Sequence, residues 1–195
     1  MAVLGHVDSG KTSLLDKVRG TGVQGREAGG ITQHIGASFL PDEVIQKLCG
    51  SLYEKLGKAE NKVPGLLVID TPGHEVFTNL RARGGSAADI AILVVDINRG
   101  FQPQTNESLK ILESRKVPFV VALNKVDMIS GWQATDDAYI SQAIKKQPPS
   151  IQTNIDEQIY NVVGALSILG YQSEAFYRVQ DFKKEISIVP VRAKV

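Results

Sequence analysis

The first twelve residues of the chain carry the pattern that most restricts its fold. Gly5–Thr12 reads G-H-V-D-S-G-K-T and fits the phosphate-loop consensus G-x-x-x-x-G-K-[ST]. Apolar residues 2–4 precede it, and Lys11–Arg19 follows with helical spacing. A strand, a glycine-containing loop and a helix in this order direct backbone N–H groups and a helix N-terminus at one point. The segment therefore predicts a phosphate-binding loop rather than an ordinary turn.

The side chains of this loop indicate what it binds. We expect Asp8, Ser9, Gly10, Lys11, Thr12 and Ser13 to contact the phosphates of a nucleotide. In such loops the lysine reaches the β- and γ-phosphates, and the threonine hydroxyl is a ligand of the Mg²⁺ ion that accompanies them. These residues therefore predict a bound nucleotide together with Mg²⁺.

Composition narrows the class of protein. The chain has 195 residues, a net charge of +1 and a single cysteine, Cys49. The charge gives no electrostatic argument for nucleic-acid binding, and one cysteine excludes an intramolecular disulfide. No apolar run approaches the ~20 residues that span a membrane, and no secretory signal is visible. We expect a cytoplasmic protein without a membrane partner.

Apolar strand-like segments alternate with amphipathic helical ones, which predicts an α/β fold with a mostly parallel sheet. The predicted strands are Ala2–Leu4, Ile35–Leu40, Leu66–Ile69, Ile90–Val95, Phe119–Leu123 and Ile186–Val189. The predicted helices are Lys11–Arg19, Asp42–Leu56, Pro103–Arg115 and Ile151–Leu169. The second and the fourth carry apolar stripes that are expected to face the core. Residues 21–37 and 131–150 are predicted to be irregular, and long loops in compact domains are often functional.

A second group of candidate residues surrounds the predicted third strand. Asp70 follows that strand and is a candidate ligand of Mg²⁺, directly or through water. Gly73 offers a backbone N–H to a γ-phosphate, and its lack of a side chain lets the segment shift when that phosphate leaves. Thr32 lies in the glycine-rich stretch between the two motifs and is the third candidate for Mg²⁺.

A third motif predicts the base. Phe119–Leu123 is followed by N-K-V-D, residues 124–127. Guanine presents N1–H and N2–H₂ donors on one edge, and a carboxylate such as Asp127 accepts both. Asn124 can link this loop to the phosphate loop, and the aliphatic stem of Lys125 can lie on the purine face. The Ala193 backbone N–H, near the end of the chain with Lys194, is placed to contact the guanine carbonyl oxygen.

The three motifs resemble those of the translational GTPases. The segments G-G-I-T-Q-H-I-G-A-S (29–38) and D-T-P-G-H-E-V-F-T-N-L-R-A-R-G-G (70–85) are similar, more narrowly, to bacterial initiation factor two and its counterpart, initiation factor five B. The segments 42–64 and 96–105 resemble the archaeal and eukaryotic branch. This resemblance covers nearly the whole chain.

The resemblance implies a P-loop GTPase fold, with a six-stranded sheet that is mainly parallel and has one antiparallel strand. It implies that residues 1–195 are the G domain of a longer factor, with residues 20–37 and 71–85 as switches I and II. The family binds GTP and GDP, promotes joining of the ribosomal subunits, and grips initiator tRNA through further domains that this chain lacks.

The resemblance also assigns roles to individual residues. His74, which follows D-T-P-G, is the expected catalytic residue, because this histidine orients the attacking water once the ribosome positions it. Asp8 is expected to help hold a monovalent cation near the phosphates, beside switch I glycines such as Gly30. The last motif departs from the family, since Arg192 replaces a serine, and we expect weaker binding of the base.

Two other functions fit part of the pattern. The chain could be a nucleotide-gated switch for a protein partner, in which hydrolysis is incidental. It could also be an adenine-specific P-loop ATPase, although N-K-V-D argues against adenine.

Overall fold

The computed structural model describes residues 1–19, 36–50, 53, 64–70, 88–135 and 139–193. Within these ranges the strands are β1 (Ala2–Gly5), β2 (Gly36–Pro41), β3 (Gly65–Asp70), β4 (Ala91–Asp96), β5 (Phe119–Asn124), β6 (Ser173–Ala175) and β7 (Ile186–Pro190). The helices are α1 (Lys11–Arg19), α2 (Asp42–Cys49), α3 (Pro103–Arg115), α4 (Ile140–Lys145) and α5 (Pro149–Ile168). A short 3₁₀ helix covers Val126–Met128.

The strands form one sheet in the order β2-β3-β1-β4-β5-β7-β6. Only the β2–β3 pair is antiparallel, and every other neighbouring pair runs parallel. The predicted mainly parallel α/β sheet with one antiparallel strand is therefore confirmed. The predicted number of six strands was wrong, because the described part of the chain contains seven. The additional strand, β6, has three residues and lies at the edge of the sheet beside β7.

Side chains alternate between the two faces of the sheet, as the two-residue period of a strand requires. On one face, Leu93, Val121 and Leu123 join a buried core with α3 and α5. On the other face, Val3, Val94 and Ala122 pack with Leu15 of α1. Helices on both faces explain why β1, β4 and β5 read as continuous apolar runs.

The structure corrects two predictions about helices. Residues 131–150 were predicted to be irregular, but Ile140–Lys145 forms α4. In the predicted core stripe of α2, the positions Val44 and Leu48 were wrong, because both side chains are exposed. Leu52 and Leu56, which the prediction also included, lie outside the described residues. The helix lies against the edge of the sheet, and Ile45 is its residue that packs on the core. It ends at Cys49, before Gly50 at φ 50°.

No helix in the described ranges is long and apolar enough to cross a membrane.

The carboxyl ends of the parallel strands β1, β3, β4, β5 and β7 meet along one edge of the sheet. This edge is the one at which the strands end, and it differs from the lateral edges formed by β2 and β6. The predicted motifs follow these strand ends, so the topology gathers them at this edge.

Candidate functional site

The phosphate loop connects the buried end of β1 to the first turn of α1. Gly5 and Gly10 have φ of 147° and 89°, and Asp8 has φ of 64°. Glycine tolerates positive φ at no steric cost, and aspartate does so better than most residues. The backbone therefore curls between residues 5 and 10 before the helix begins at Lys11.

The Lys11 side chain folds back over the loop that precedes it. Its ammonium group donates to the Gly5 carbonyl oxygen at 2.8 Å and to the His6 carbonyl oxygen at 2.7 Å. Lys11 is only 8% exposed, and Thr12 beside it is equally buried. A cation held in this way at a helix N-terminus forms a binding site for an anion.

The loop is braced from two other elements. Gln104 of α3 accepts the Val7 N–H through its side-chain oxygen at 3.2 Å. The Asn124 side chain donates to the Ser9 carbonyl oxygen at 2.9 Å and is buried. The second bond joins the phosphate loop to the end of β5, where N-K-V-D begins.

The contact between Gly10 and Asn124 leaves no room for a side chain. A Cβ atom added to Gly10 would overlap the Asn124 amide nitrogen. Among the described residues, Ser9 Oγ and Asn124 Oδ1 are buried and have no hydrogen-bond partner. The close approach therefore fixes the phosphate loop against the start of N-K-V-D.

The N-K-V-D segment turns sharply after β5. Lys125 adopts φ of 67°, and its carbonyl oxygen accepts the Met128 N–H at 2.9 Å. Asp127 lies in this 3₁₀ turn and is partly exposed, whereas Val126 is fully buried and anchors the turn in the core. The carboxylate is thus carried on a fixed backbone where it can accept two parallel N–H groups.

The last motif lies directly beside this turn. The Val191 N–H donates to the Leu123 carbonyl oxygen at 2.9 Å, and the Val191 carbonyl oxygen accepts the Val126 N–H at 3.4 Å. These bonds carry Ala193 to the N-K-V-D side of the sheet. Lys194 lies outside the described residues.

Arg192, which replaces the serine expected in the last motif, makes a hydrogen bond of its own. Its guanidinium donates to the Thr135 carbonyl oxygen at 3.1 Å, across 57 positions in the sequence. This bond ties the last motif to the segment that follows the N-K-V-D turn.

We expect Arg192→Ala to weaken GDP binding by about threefold, since one hydrogen bond contributes about 0.5–1.5 kcal/mol. The backbone bonds of Val191 still hold the motif, so the effect stays small. Titration with fluorescent GDP measures it, and Arg178→Ala, at the far edge of the sheet beyond β6, is the control. A loss of more than 30-fold in Arg192→Ala would contradict this modest role.

The three candidate metal ligands are described to different extents. Thr12 lies at the second position of α1. The backbone of Asp70 ends β3 and pairs with Val3 on one side and Gly36 on the other. This register brings Asp70 next to the strand that feeds the phosphate loop. Hydroxyl and carboxylate oxygens are the donors that Mg²⁺ prefers, so Thr12 and Asp70 fit this ion by ligand type.

The remaining candidates lie outside the described residues: Thr32, Gly73 and His74. Thr32 precedes β2 by four residues, and Gly73 and His74 follow β3 within four. The Gly36–Asp70 pairing therefore brings the chain ends that flank both segments to the same edge of the sheet.

Sequence reasoning missed one charged residue of this edge. Asp96 ends β4 and is 6% exposed, and its carboxylate pairs with the Lys125 ammonium at 2.7 Å. The sequence contains a pattern that could have identified Asp96, because an aspartate after an apolar strand is also the pattern that pointed to Asp70.

The family model described as "Elongation factor Tu GTP binding domain" matches residues 1–194. The chain belongs to this family. It is therefore a GTP-binding domain of the translational GTPases, and the predicted family and P-loop GTPase fold are confirmed.

Individual relatives are archaeal initiation factors. The probable translation initiation factor IF-2 of Methanopyrus kandleri is 55% identical over 190 residues, which are 97% of this chain and 32% of the relative. That of Thermococcus onnurineus is 55% identical over 194 residues, with the same 32% covered. This translational GTPase domain thus spans about a third of the length of these relatives.

The solved structures agree with the fold. The crystal structure of GDP-bound aIF5B from Aeropyrum pernix superposes with a TM-score of 0.82 at 53% identity, over 98% of this chain and 32% of that one. The bacterial selenocysteine-specific elongation factor EF-Sec superposes with a TM-score of 0.57 at 24% identity, over 98% and 25%, which supports the fold alone.

Proposed function

We propose that residues 1–195 are the G domain of a translation initiation factor that binds and hydrolyses GTP and promotes joining of the ribosomal subunits. The observation that carries this proposal is the Asn124–Ser9 hydrogen bond, which joins a phosphate loop to N-K-V-D at one sheet edge. The similarity to archaeal initiation factors supports the step from GTP binding to translation initiation.

The nucleotide is held by two groups of residues in this proposal. The phosphate loop, including Asp8, Ser13 and Lys11, binds the phosphates together with the Gly73 backbone. Asn124, Lys125 and Asp127 bind guanine, with the Ala193 backbone and Lys194 completing the pocket. The Asn124–Ser9 hydrogen bond supports this division, since it joins the two groups of residues.

Thr12, Thr32 and Asp70 would hold Mg²⁺, directly or through water. When bound, Mg²⁺ neutralises charge on the β- and γ-phosphate oxygens. His74 orients the attacking water, and Lys11 stabilises the charge that develops on the phosphates. A monovalent cation beside Asp8 would add to this charge, and the exposed position of Asp8 at positive φ leaves its carboxylate accessible.

The partners follow from the same assignment. We infer that the domain works in the cytoplasm on the ribosome, together with further domains of the same factor, and that those domains contact initiator tRNA. The relatives are about three times as long as the matched region, which leaves room for such domains.

The experiment that tests this function is multiple-turnover GTP hydrolysis with and without archaeal ribosomes. It uses this chain, and also a chimera in which the chain replaces the matching third of the Aeropyrum pernix relative. Unassisted hydrolysis should be slow, at about 10⁻⁴–10⁻³ s⁻¹ on the scale of Ras-like proteins. Ribosome stimulation of the chimera is the expected result. Tight GTP binding without stimulation in the chimera would favour a nucleotide-gated switch with incidental hydrolysis.

We expect His74→Ala to lower ribosome-stimulated hydrolysis by about 10²-fold, since a positioned proton-transfer or water-orienting group contributes about 10²–10⁴-fold. GDP affinity should stay unchanged, because this proposal gives His74 no contact with the nucleotide. Single-turnover hydrolysis in the chimera measures the first quantity and fluorescent GDP titration the second. An unchanged stimulated rate would remove His74 from the catalytic role.

A further inference from the structure

The buried carboxylate of Asp96 belongs to none of the nucleotide-binding motifs. It lies at the carboxyl end of β4, next to Asn124 in the sheet register. One carboxylate oxygen accepts the Asn98 N–H at 2.9 Å, and the other pairs with Lys125 Nζ at 2.7 Å. The two oxygens thus have different partners, one within its own turn and one in the predicted base pocket.

The ion pair differs from the exposed pairs of this protein. The Asp96 side chain is 8% exposed and that of Lys125 is 24% exposed. The pair of Lys184 and Asp181 is longer, at 3.6 Å, with side chains 76% and 44% exposed. Exposed pairs contribute little, whereas removal of one partner from a buried pair leaves an uncompensated charge. The Asp96–Lys125 pair therefore restrains the lysine side chain.

The restrained side chain approaches the phosphate loop at Gly10. Lys125 has φ of 67°, which fixes where its side chain leaves the backbone. Its Cε atom lies 3.8 Å from the place where a Cβ on Gly10 would be. The Ile97 N–H also donates to the Asn124 carbonyl oxygen at 2.9 Å, so the backbones of the two strand ends are joined as well. Asp96 thereby holds the ammonium end of a methylene chain whose last carbon lies beside the nucleotide-binding loop.

We propose that Asp96 is a positioning residue for nucleotide binding, which holds Lys125 extended so that its methylene stem forms a preformed wall for the purine face. The proposal rests on the proposed function, in which Lys125 contacts guanine. Without the carboxylate the lysine side chain samples other rotamers, and the wall has to be ordered again each time a nucleotide binds.

The variant Asp96→Asn tests this role. It keeps the volume of the side chain and the oxygen that accepts the Asn98 N–H, but it removes the charge that holds Lys125. We expect the Kd for GDP to rise about tenfold, with a faster off-rate and a small change in the melting temperature. The ratio of the Kd values for GDP and inosine diphosphate should stay constant, because a wall on the purine face does not read the base edge.

A double-mutant cycle separates positioning from a structural role. If Asp96 acts through Lys125, adding Asp96→Asn to Lys125→Met should weaken GDP binding no further. Asp181→Asn is a matched control, because Asp181 also accepts an N–H two residues on, from Lys183, and pairs with a lysine. It lies before β7, at the opposite end of the sheet from the site, and should leave the Kd unchanged.

Two results would overturn the positioning role while leaving nucleotide binding intact. One is an unchanged Kd in Asp96→Asn with a lowered melting temperature, which would make Asp96 only a turn residue. The other is independent, multiplicative loss of affinity in the double variant. Absence of GDP binding in the unsubstituted chain would overturn the nucleotide site itself, and this proposal with it.

Discussion

Replacing Gly10 with alanine is expected to raise the Kd for GDP by about 10³-fold. The new methyl group would displace the Asn124 amide, which donates to the Ser9 carbonyl oxygen. Loss of that buried bond costs about 1–3 kcal/mol. The φ of 89° at Gly10 adds about 1–3 kcal/mol for a residue with a side chain. A combined cost of about 4 kcal/mol corresponds to this thousandfold change.

The cost should appear in binding because the loop can relax when it is empty. Alanine can leave the positive φ region by opening the loop, but the binding geometry must then be regained when the phosphates bind. Gly170→Ala is the matched control, since Gly170 has φ of 85° and no atom of the described residues lies within 4 Å of its added Cβ. It carries a similar backbone strain without the clash.

Two measurements distinguish a lost site from a lost fold. Titration with fluorescent GDP gives the Kd, and thermal unfolding with and without GDP shows whether the nucleotide still stabilises the folded chain. We expect Gly10→Ala to unfold cooperatively but without stabilisation by GDP, while Gly170→Ala keeps that stabilisation. A Kd for Gly10→Ala within tenfold of the unsubstituted chain would contradict the predicted closeness of the two loops.

The strands with apolar runs could be predicted closely from the sequence. Each of the six predicted strands ends within one residue of the observed strand. For β1, β4 and β5 the reason is that helices on both faces require continuous apolar side chains. The missed strand, β6, has the sequence Ser-Glu-Ala and carries no such run. It forms because β7 offers a free edge, which is a tertiary effect that local sequence does not contain.

The sequence was also less informative about α2 and α4, because the environment of each helix depends on tertiary contacts. The apolar spacing of α2 is genuine, but Val44 and Leu48 are exposed in the described structure because a helix beside an edge strand has little sheet to cover. The short helix α4 lies in a polar segment, and the buried Gln147 side chain bonds to the Gln133 and Ala143 backbones nearby. Such polar bracing leaves no hydrophobic period to detect.

In the candidate site, too, some features could be predicted from local sequence and others depend on the assembled sheet. Backbone-based features, such as the glycines of the phosphate loop and the turn at Lys125, follow from short motifs with fixed spacing. Side-chain contacts between residues that are distant in the sequence do not follow from such motifs. The Asp96–Lys125 pair and the Arg192–Thr135 bond depend on which strand ends become neighbours, and this order is known only once the sheet is assembled.

Asp127→Asn is expected to exchange the base preference of the site, with a combined change of about 10⁴-fold. The carboxylate can accept both N1–H and N2–H₂ of guanine, and each bond to a charged group contributes about 1.5–3 kcal/mol. Loss of one bond and weakening of the other should raise the Kd for GDP by about 10²-fold. Xanthine carries a carbonyl oxygen in place of the N2 amine, and the asparagine amide can donate to it. Xanthosine diphosphate should therefore bind the variant about 10²-fold more tightly than it binds the unsubstituted chain.

Competition against fluorescent nucleotide, with GDP, xanthosine diphosphate and ADP as competitors, measures this exchange. The turn that carries Asp127 is anchored by the buried Val126, so the substitution changes the hydrogen-bonding edge and leaves the backbone in place. ADP should compete poorly with both proteins, because sites built on such bonds reject analogues that lack them by about 10⁴–10⁵-fold. Asp156→Asn, on α5 beside Tyr177, is the control for a lost carboxylate elsewhere. Equal GDP affinity in the Asp127 and Asp156 variants would remove Asp127 from base recognition, and strong competition by ADP would instead support an adenine-specific site.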